Sequence, residues 1–401
     1  MTDLQQTALA LRSLVLFRRL LQDDVIMKLS ALLDAPNLPV SEQVSRYADF
    51  AAALFAHGTH LTDYVWSHIA EDDNIYIQKR ALQQPVDSVL EDCVANELGV
   101  LQTAARITSS TILAHISYDG FLPSWQTSDA DFAAAYSRLM QTAAVTGYGI
   151  YARHHMLRVT NGIIVPVTSP DPIRLSGLKG YERQKQLVTD NTLSLLGGKP
   201  AANVLLYGDA GTGKSSTVKA LANEYRAQGL RLVEIGKRQI GDIPAVAEQL
   251  SQNPLKFILF IDDLSFTHQN DDFNTLKAVL DGSVSSKATN TVIYATSNRR
   301  HMVKELFSDR EGDDIHRNET IQELSSLSHR FGLTVGYFKP DKQAYLDIVH
   351  ALRDDFDIHM EDAQIDIEAE RFASAGRSPR AARQFIDALR RSAPEQDGKE
   401  H

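Results

Sequence analysis

The sequence predicts an α/β fold: a parallel five-stranded sheet carrying a phosphate-binding loop, with a helical region before it and a small helical unit after it. Three observations predict this. Short apolar runs at 203–207, 230–235, 257–261, 291–296 and 333–338 alternate with stretches of helical spacing, as strands do when crossover helices cover both faces of their sheet. The first run leads straight into a glycine-rich string, and the third ends in two carboxylates. Before and after this alternating stretch only helical spacing recurs, apart from one hairpin.

Composition sets the outer bounds. Of 401 residues, 43% are hydrophobic and 23% charged, which excludes a disordered or fibrous chain and fits two or three domains. The 41 basic residues against 51 acidic ones leave a net charge of −10, which argues against broad electrostatic binding to nucleic acid. Cys93 is the single cysteine. It excludes an intramolecular disulfide framework and any CxxC site, and reads as a small buried residue. No run approaches the ~18 apolar residues of a membrane span. Asp3 stands before the apolar run at 14–17, and Arg12, Arg18 and Arg19 interrupt or follow it, which is the wrong charge order for a signal peptide. An amphipathic helix with Leu9, Val15, Leu16 and Leu20 on its apolar side is expected instead, in a cytoplasmic protein.

Helical spacing covers 4–33, stopped before Pro36, then 41–57, 87–118 and 129–146. Residues 156–160 and 163–167 flank Asn161-Gly162, a pair suited to the two positive φ values of a tight hairpin turn. Pro170 and Pro172 mark a linker. The expected domains are a mainly helical 1–170 that includes the hairpin, an α/β core at 171–340, a helical lid at 341–391 and a polar tail at 392–401.

The string Gly208-Asp209-Ala210-Gly211-Thr212-Gly213-Lys214-Ser215, with Ser216 next, fits G-x-x-x-x-G-K-[ST]. Its context fits as well. A buried-strand run precedes it, and Val218, Leu221, Ala222 and Tyr225 follow at helical spacing until Gly229. Glycines let backbone N–H groups curl around phosphates, and the helix N-terminus adds positive potential. Lys214 suits the β- and γ-phosphates, and the Ser215 hydroxyl suits Mg²⁺, so ATP and Mg²⁺ are the expected cofactors. In the second motif, the strand run 257–261 closes on Asp262 and Asp263. Asp262 is placed to hold Mg²⁺ through water, and Asp263 to polarise an attacking water. An apolar strand ending in acids is common; this one gains meaning by following a phosphate loop.

With both motifs in place, the core resembles the AAA+ ATPase superfamily. More closely, it is similar to a bacterial AAA+ family catalogued only as a domain of unknown function. The similarity covers about 150–391 and includes Leu175-Ser176-Gly177-Leu178-Lys179-Gly180-Tyr181-Glu182 and Leu327-Ser328-His329-Arg330-Phe331-Gly332. The resemblance implies a nucleotide-dependent machine with further site residues. Asn298 matches sensor 1, which orients the attacking water, with an ordinary Asn turn as the alternative. Arg330 is similar to the arginine finger that enters a neighbouring subunit's site in a homo-oligomer, with a surface salt bridge as the alternative. Sensor 2 falls at Arg380, with Arg377 left open, and Gly177 and Leu178 match the adenine pocket. One departure is Asp263, where many AAA+ ATPases carry a longer Glu, so slow hydrolysis is expected.

The histidines His57, His60, His68, His154 and His155 lack the acid or cysteine partners and tight spacing of metal sites. Glu71-Asp72-Asp73 and Glu311-Gly312-Asp313-Asp314 read as solvated loops. Arg299, Arg300, His301 and Lys304 form a small basic group facing the nucleotide, a neighbouring subunit or nucleic acid. The function implied is Mg²⁺-dependent ATP hydrolysis coupled to remodelling or loading of an unknown protein or nucleic-acid partner, with no membrane involved. The alternative is an ATP-gated recruitment module that hydrolyses little, DNA- or replication-linked. A small-molecule kinase ranks third, because Arg330 and the separate C-terminal helical unit argue against it and no acceptor site can be read from the sequence.

Overall fold

The computed structural model describes residues 2–264, 271–281, 289–298 and 330–392. Its contacts divide the chain into two compact units: 1–153 with 253–255, and 154–252 with 256–401.

The first unit is helical: α1 (Asp3–Arg12), α2 (Asp24–Leu33), α3 (Val40–Phe55), α4 (Leu61–Ala70), α5 (Ile75–Ala81), α6 (Ser88–Ala105), α7 (Ser109–Leu113), α8 (Phe132–Thr146) and α9 (Ile150–Arg153). The single helix expected over 4–33 is broken. Buried Glu97 accepts from the backbone N–H groups of Val15, Leu16 and Phe17, satisfying donors that a continuing helix would have used internally. The Asp23 side chain then accepts from Ile26 N at 3.0 Å and starts α2. That break resets the helical phase. Leu4, Ala8, Leu11 and Leu14 face the core, whereas Leu9 and Val15 are 56% and 68% exposed, contrary to the expected apolar side. The stretch expected as helix over 87–118 stops at Ala105 and restarts behind Thr108, whose hydroxyl accepts from Thr111 N. Helices α4 and α5 were not expected, and Cys93 is half-buried rather than buried.

One of the acid clusters also departs from expectation. Asp72 is buried and accepts from Asn74 Nδ2 at 2.7 Å. Burial pushes its carboxyl up from 3.8 to about 6, against the pull of Asn74 and Arg19. The folded unit therefore prefers the neutral acid. Stability is full below the unfolded value of 3.8 and falls as pH rises through about 6, a loss of roughly 3 kcal/mol. Asp72→Asn should flatten that slope in thermal unfolding measured from about pH 4 to about pH 8. An unchanged slope would show that Asp72 does not set it.

The second unit is built on a sheet of seven strands among the described residues, ordered β2-β1-β4-β5-β6-β3-β7. These are β1 (Met156–Thr160), β2 (Ile163–Pro166), β3 (Val204–Gly208), β4 (Leu230–Glu234), β5 (Lys256–Ile261), β6 (Thr291–Ser297) and β7 (Leu333–Tyr337). All neighbours are parallel except the β1–β2 hairpin. The five expected strands are present, and the hairpin adds two. β1 pairs with β4 through Met156↔Leu232 and so covers the backbone edge that β4 would otherwise leave open.

Helices α10 (Glu182–Leu196), α11 (Lys214–Tyr225), α12 (Ile243–Ser251) and α13 (Asp271–Leu280) connect the strands. The buried faces of β3, β5 and β6 supply Val204, Leu206, Ile258, Phe260 and Tyr294 to one core. The strand order and the loop after β3 are those of a P-loop NTPase. At the C-terminal end, α14 (Lys342–Asp355), α15 (Asp362–Phe372) and α16 (Pro379–Ser392) bury a core of their own around Tyr345, Val349, Ile365 and Phe385.

Candidate nucleotide-binding site

The carboxyl ends of β3, β5 and β6 open on a cleft of about 720 Å³. Within the glycine-rich string, Gly208 has φ +126°, and a Cβ there would stand 2.1 Å from the Tyr337 carbonyl oxygen. Only glycine fits this approach. Asp209 N donates to that same carbonyl at 2.8 Å, and the Asp209 carboxylate accepts from Lys339 N at 2.7 Å. The loop is thereby fastened to the segment leading from β7 into the C-terminal helices. Ala210, Gly211, Thr212, Gly213, Lys214, Ser215 and Ser216 line the cleft; Gly208 and Asp209 stand behind it.

Lys214 is 5% exposed. Its Nζ donates to Gly208 O at 3.1 Å, Asp209 O at 2.6 Å and Asn298 Oδ1 at 3.0 Å. Burial pulls its pKa down, while Asp209, Asp262 and Asp263 pull the other way. Opposite it, Asp262 Oδ1 accepts from Ser215 Oγ at 2.5 Å, Thr296 Oγ1 at 2.6 Å and Asp263 N at 3.0 Å. Asp263 has φ +52°, a left-handed conformation that aspartate tolerates better than most residues. Its N–H also reaches Thr296 Oγ1 at 2.8 Å. Asp263 Oδ1 accepts from Asn298 Nδ2 at 2.7 Å, and Oδ2 from Lys237 Nζ at 3.2 Å. The two expected motifs and Asn298 thus form one hydrogen-bonded chain.

The C-terminal helices close the other side. Arg380 N donates to Gly211 O at 3.2 Å, and Arg380, Arg383 and Gln384 line the cleft. Arg377 instead forms a bidentate pair with Glu370 at 2.8 and 2.7 Å and does not line the cleft. Away from the loop the lining turns apolar, with Ile173, Leu178, Ile348 and Leu352 beside Gly177 and Tyr181. Tyr181 stacks on Tyr337 at 5.1 Å and donates its hydroxyl to Phe338 O.

Arg330 lies elsewhere. It pairs with Asp281, just beyond α13, and lines a separate cavity with Asn203, Thr291 and Val292, at the amino-terminal ends of the strands. Residues 299–329, which include Arg299, Arg300, His301, Lys304, the 311–314 acids and 327–329, fall outside the described residues.

Sequence reading missed several contributors, among them Thr296, Lys237, Ile348, Leu352, Arg383 and Gln384. Thr296 had a signal, since it lies two residues before Asn298 at the end of β6, where alternate side chains point the same way. Lys237, which reaches Asp263, and Ile348 and Leu352, which line the cleft, are brought there only by tertiary packing and had none.

Residues 151–393 match the family described as "Protein of unknown function (DUF815)". Among curated proteins, the chain is 29% identical over 116 residues to the replication factor C large subunit of Sulfolobus acidocaldarius, covering 27% of this chain and 26% of that one. It is 39% identical over 74 residues to a 26S proteasome regulatory subunit 4 homolog of Schizosaccharomyces pombe, covering 17% and 16%. The matched segments therefore span about a quarter or less of these relatives. Among solved structures, the Thermotoga maritima RuvB Holliday junction branch migration motor aligns with TM-score 0.37 at 17% identity, over 55% of this chain and 65% of that one. AMPPCP-bound DnaA from Aquifex aeolicus aligns with TM-score 0.40 at 15% identity, over 55% and 66%. Among the described residues, no helix is long and apolar enough to cross a membrane.

Proposed function

Since the chain belongs to the family described as "Protein of unknown function (DUF815)", we propose that it is an AAA+ ATPase that binds ATP with Mg²⁺ in the cleft and hydrolyses it to move or load a macromolecular partner. One observation carries the reading: Lys214, Ser215, Asp262, Asp263 and Asn298 meet in one hydrogen-bonded chain at the mouth of the loop. Lys214 and the loop N–H groups bind the β- and γ-phosphates. Ser215 Oγ and the Asp262 carboxylate are hard oxygen donors of the kind Mg²⁺ takes and would hold the ion, which would supply charge neutralisation for the phosphates. Asp263 draws a proton from water, whose oxygen bonds to the γ-phosphorus as the bond to the β,γ-bridging oxygen breaks, leaving ADP and phosphate. Asn298 orients that water. Arg380, whose side chain has no partner among the described residues, adds positive charge from the C-terminal helices, and Leu178 with Gly177 borders the base. A cytoplasmic homo-oligomer completes the proposal, with Arg330 as the finger.

Asp262→Asn tests the metal role. It should leave ATP binding largely intact and lower hydrolysis about 10–100-fold, the range for losing a partner that orients a metal. Unchanged activity at limiting Mg²⁺ would reduce the second motif to a core strand.

A second reading has its own observation. Both Asp263 oxygens are engaged, by Asn298 and Lys237, which suits an ATP-gated recruitment module with little hydrolysis. Steady-state ATPase assays at several protein concentrations, with and without DNA, separate the two readings.

A further inference from the structure

Helix α11 starts at the phosphate loop, but its far end holds a different part of the cleft. Asn223 lies nine residues beyond Lys214, roughly 14 Å along the helix axis, and is only 8% exposed. Its Nδ2 donates to Asp171 O at 2.8 Å and to Ile173 O at 2.6 Å. Both carbonyls can only accept, which fixes the orientation of the amide. Its Oδ1 therefore faces His155 Nε2 at 2.7 Å, and that nitrogen must carry a proton. Burial pulls the His155 imidazole below its usual range, so the neutral Nε2–H tautomer serves. The turn is also closed on itself, since Ile173 N donates to Asp171 Oδ1 at 3.1 Å.

The segment held in this way has other ties, with Arg174 facing Glu224 of α11 at 3.7 Å and Leu175 packed on the sheet core, but little regular structure. Between β2 and α10 the chain forms one short 3₁₀ turn, Leu175–Gly177. Asp171, Pro172, Ile173 and Arg174 nevertheless line the cleft together with Gly177 and Leu178, the pair read above as bordering the base. Two of the three hydrogen bonds of this buried amide hold the turn and the third ties the amide to His155, so removing the amide leaves the two turn carbonyls without this donor.

We infer that Asn223 is a positioning residue for the base-and-ribose part of the bound nucleotide, acting through the Asp171–Ile173 turn, with His155 fixing its amide. The inference rests on the nucleotide-binding reading above and deepens it. Phosphate recognition, at the other end of α11, does not depend on Asn223.

Two variants test this. Asn223→Leu keeps the branched shape at a larger volume and removes all three bonds. Asn223→Asp keeps the shape and sets a carboxylate against two carbonyls, so the test survives if one variant fails to fold. Titrations with ATP and with inorganic triphosphate, both with Mg²⁺, give the readout. ATP affinity should fall at least tenfold while triphosphate affinity stays within twofold of wild type, and any turnover should show a raised KM with kcat within twofold. His155→Leu should shift ATP affinity in the same direction by less. Unchanged ATP affinity, or equal losses for ATP and triphosphate, would overturn the inference while leaving the nucleotide reading standing. A wild-type protein that binds neither ligand would overturn both.

Discussion

Lys214→Ala is expected to bind ATP at least tenfold more weakly, or ~1.4 kcal/mol, and to lose nearly all hydrolysis. The ammonium is the one cation of the glycine-rich string, and it is already held in place by the Gly208 and Asp209 carbonyls and Asn298 Oδ1. A nucleotide phosphate therefore meets a charge whose side-chain entropy is largely spent before binding. Charge-assisted bonds in such a site contribute roughly 1.5–3 kcal/mol each, so tenfold is a lower bound. Circular dichroism of the variant checks that it remains folded despite losing those three bonds. Fluorescent-nucleotide titration against wild type is the measurement. Equal affinity would remove the phosphate loop from the argument, and the function built on it would go too.

The parts of this site legible in the sequence are those built by contiguous residues. The string Gly208 to Ser215 requires a strand before it and a helix after it, and both β3 and α11 are found there. The acid pair after β5 and the polar residue after β6 follow the same logic, since each sits where a parallel strand ends beside the loop. The sequence favoured Arg380 over Arg377 without excluding the second; folding separates them, because Glu370 pairs with Arg377 while Arg380 lines the cleft. The apolar wall was out of reach for a related reason. Ile348 and Leu352 are ordinary core positions of α14 by spacing, and it is the docking of that helix that turns them toward the cleft. In the first unit, periodicity predicted helices but misplaced their ends. Glu97 terminates one of them from more than eighty positions away, and no local pattern carries that. The hairpin was visible through Asn161-Gly162, yet its pairing with β4 is a long-range contact that turn chemistry says nothing about.

Arg330→Ala should bind ATP as wild type does and hydrolyse it ~10³-fold more slowly. The reason is positional. Arg330 stands at the amino-terminal end of β7, while the loop lies at the carboxyl end of the neighbouring β3. Five residues of strand span roughly 16 Å, more than an arginine side chain covers, so Arg330 cannot serve the cleft of its own chain. It can serve a neighbour's, once it leaves Asp281. Mixing Arg330→Ala with Lys214→Ala should then restore part of the activity, because some interfaces pair an intact loop with an intact finger. Specific activity of the wild type should also rise with protein concentration. The competing account is the ion pair itself: an exposed Arg–Asp pair contributes ~0–1 kcal/mol to stability and nothing to turnover. On that account Arg330→Ala hydrolyses ATP normally, the mixture is no more active than its components, and activity per subunit is flat across a hundredfold dilution. That set of results would leave a monomeric nucleotide binder, with Arg330 an ordinary surface residue.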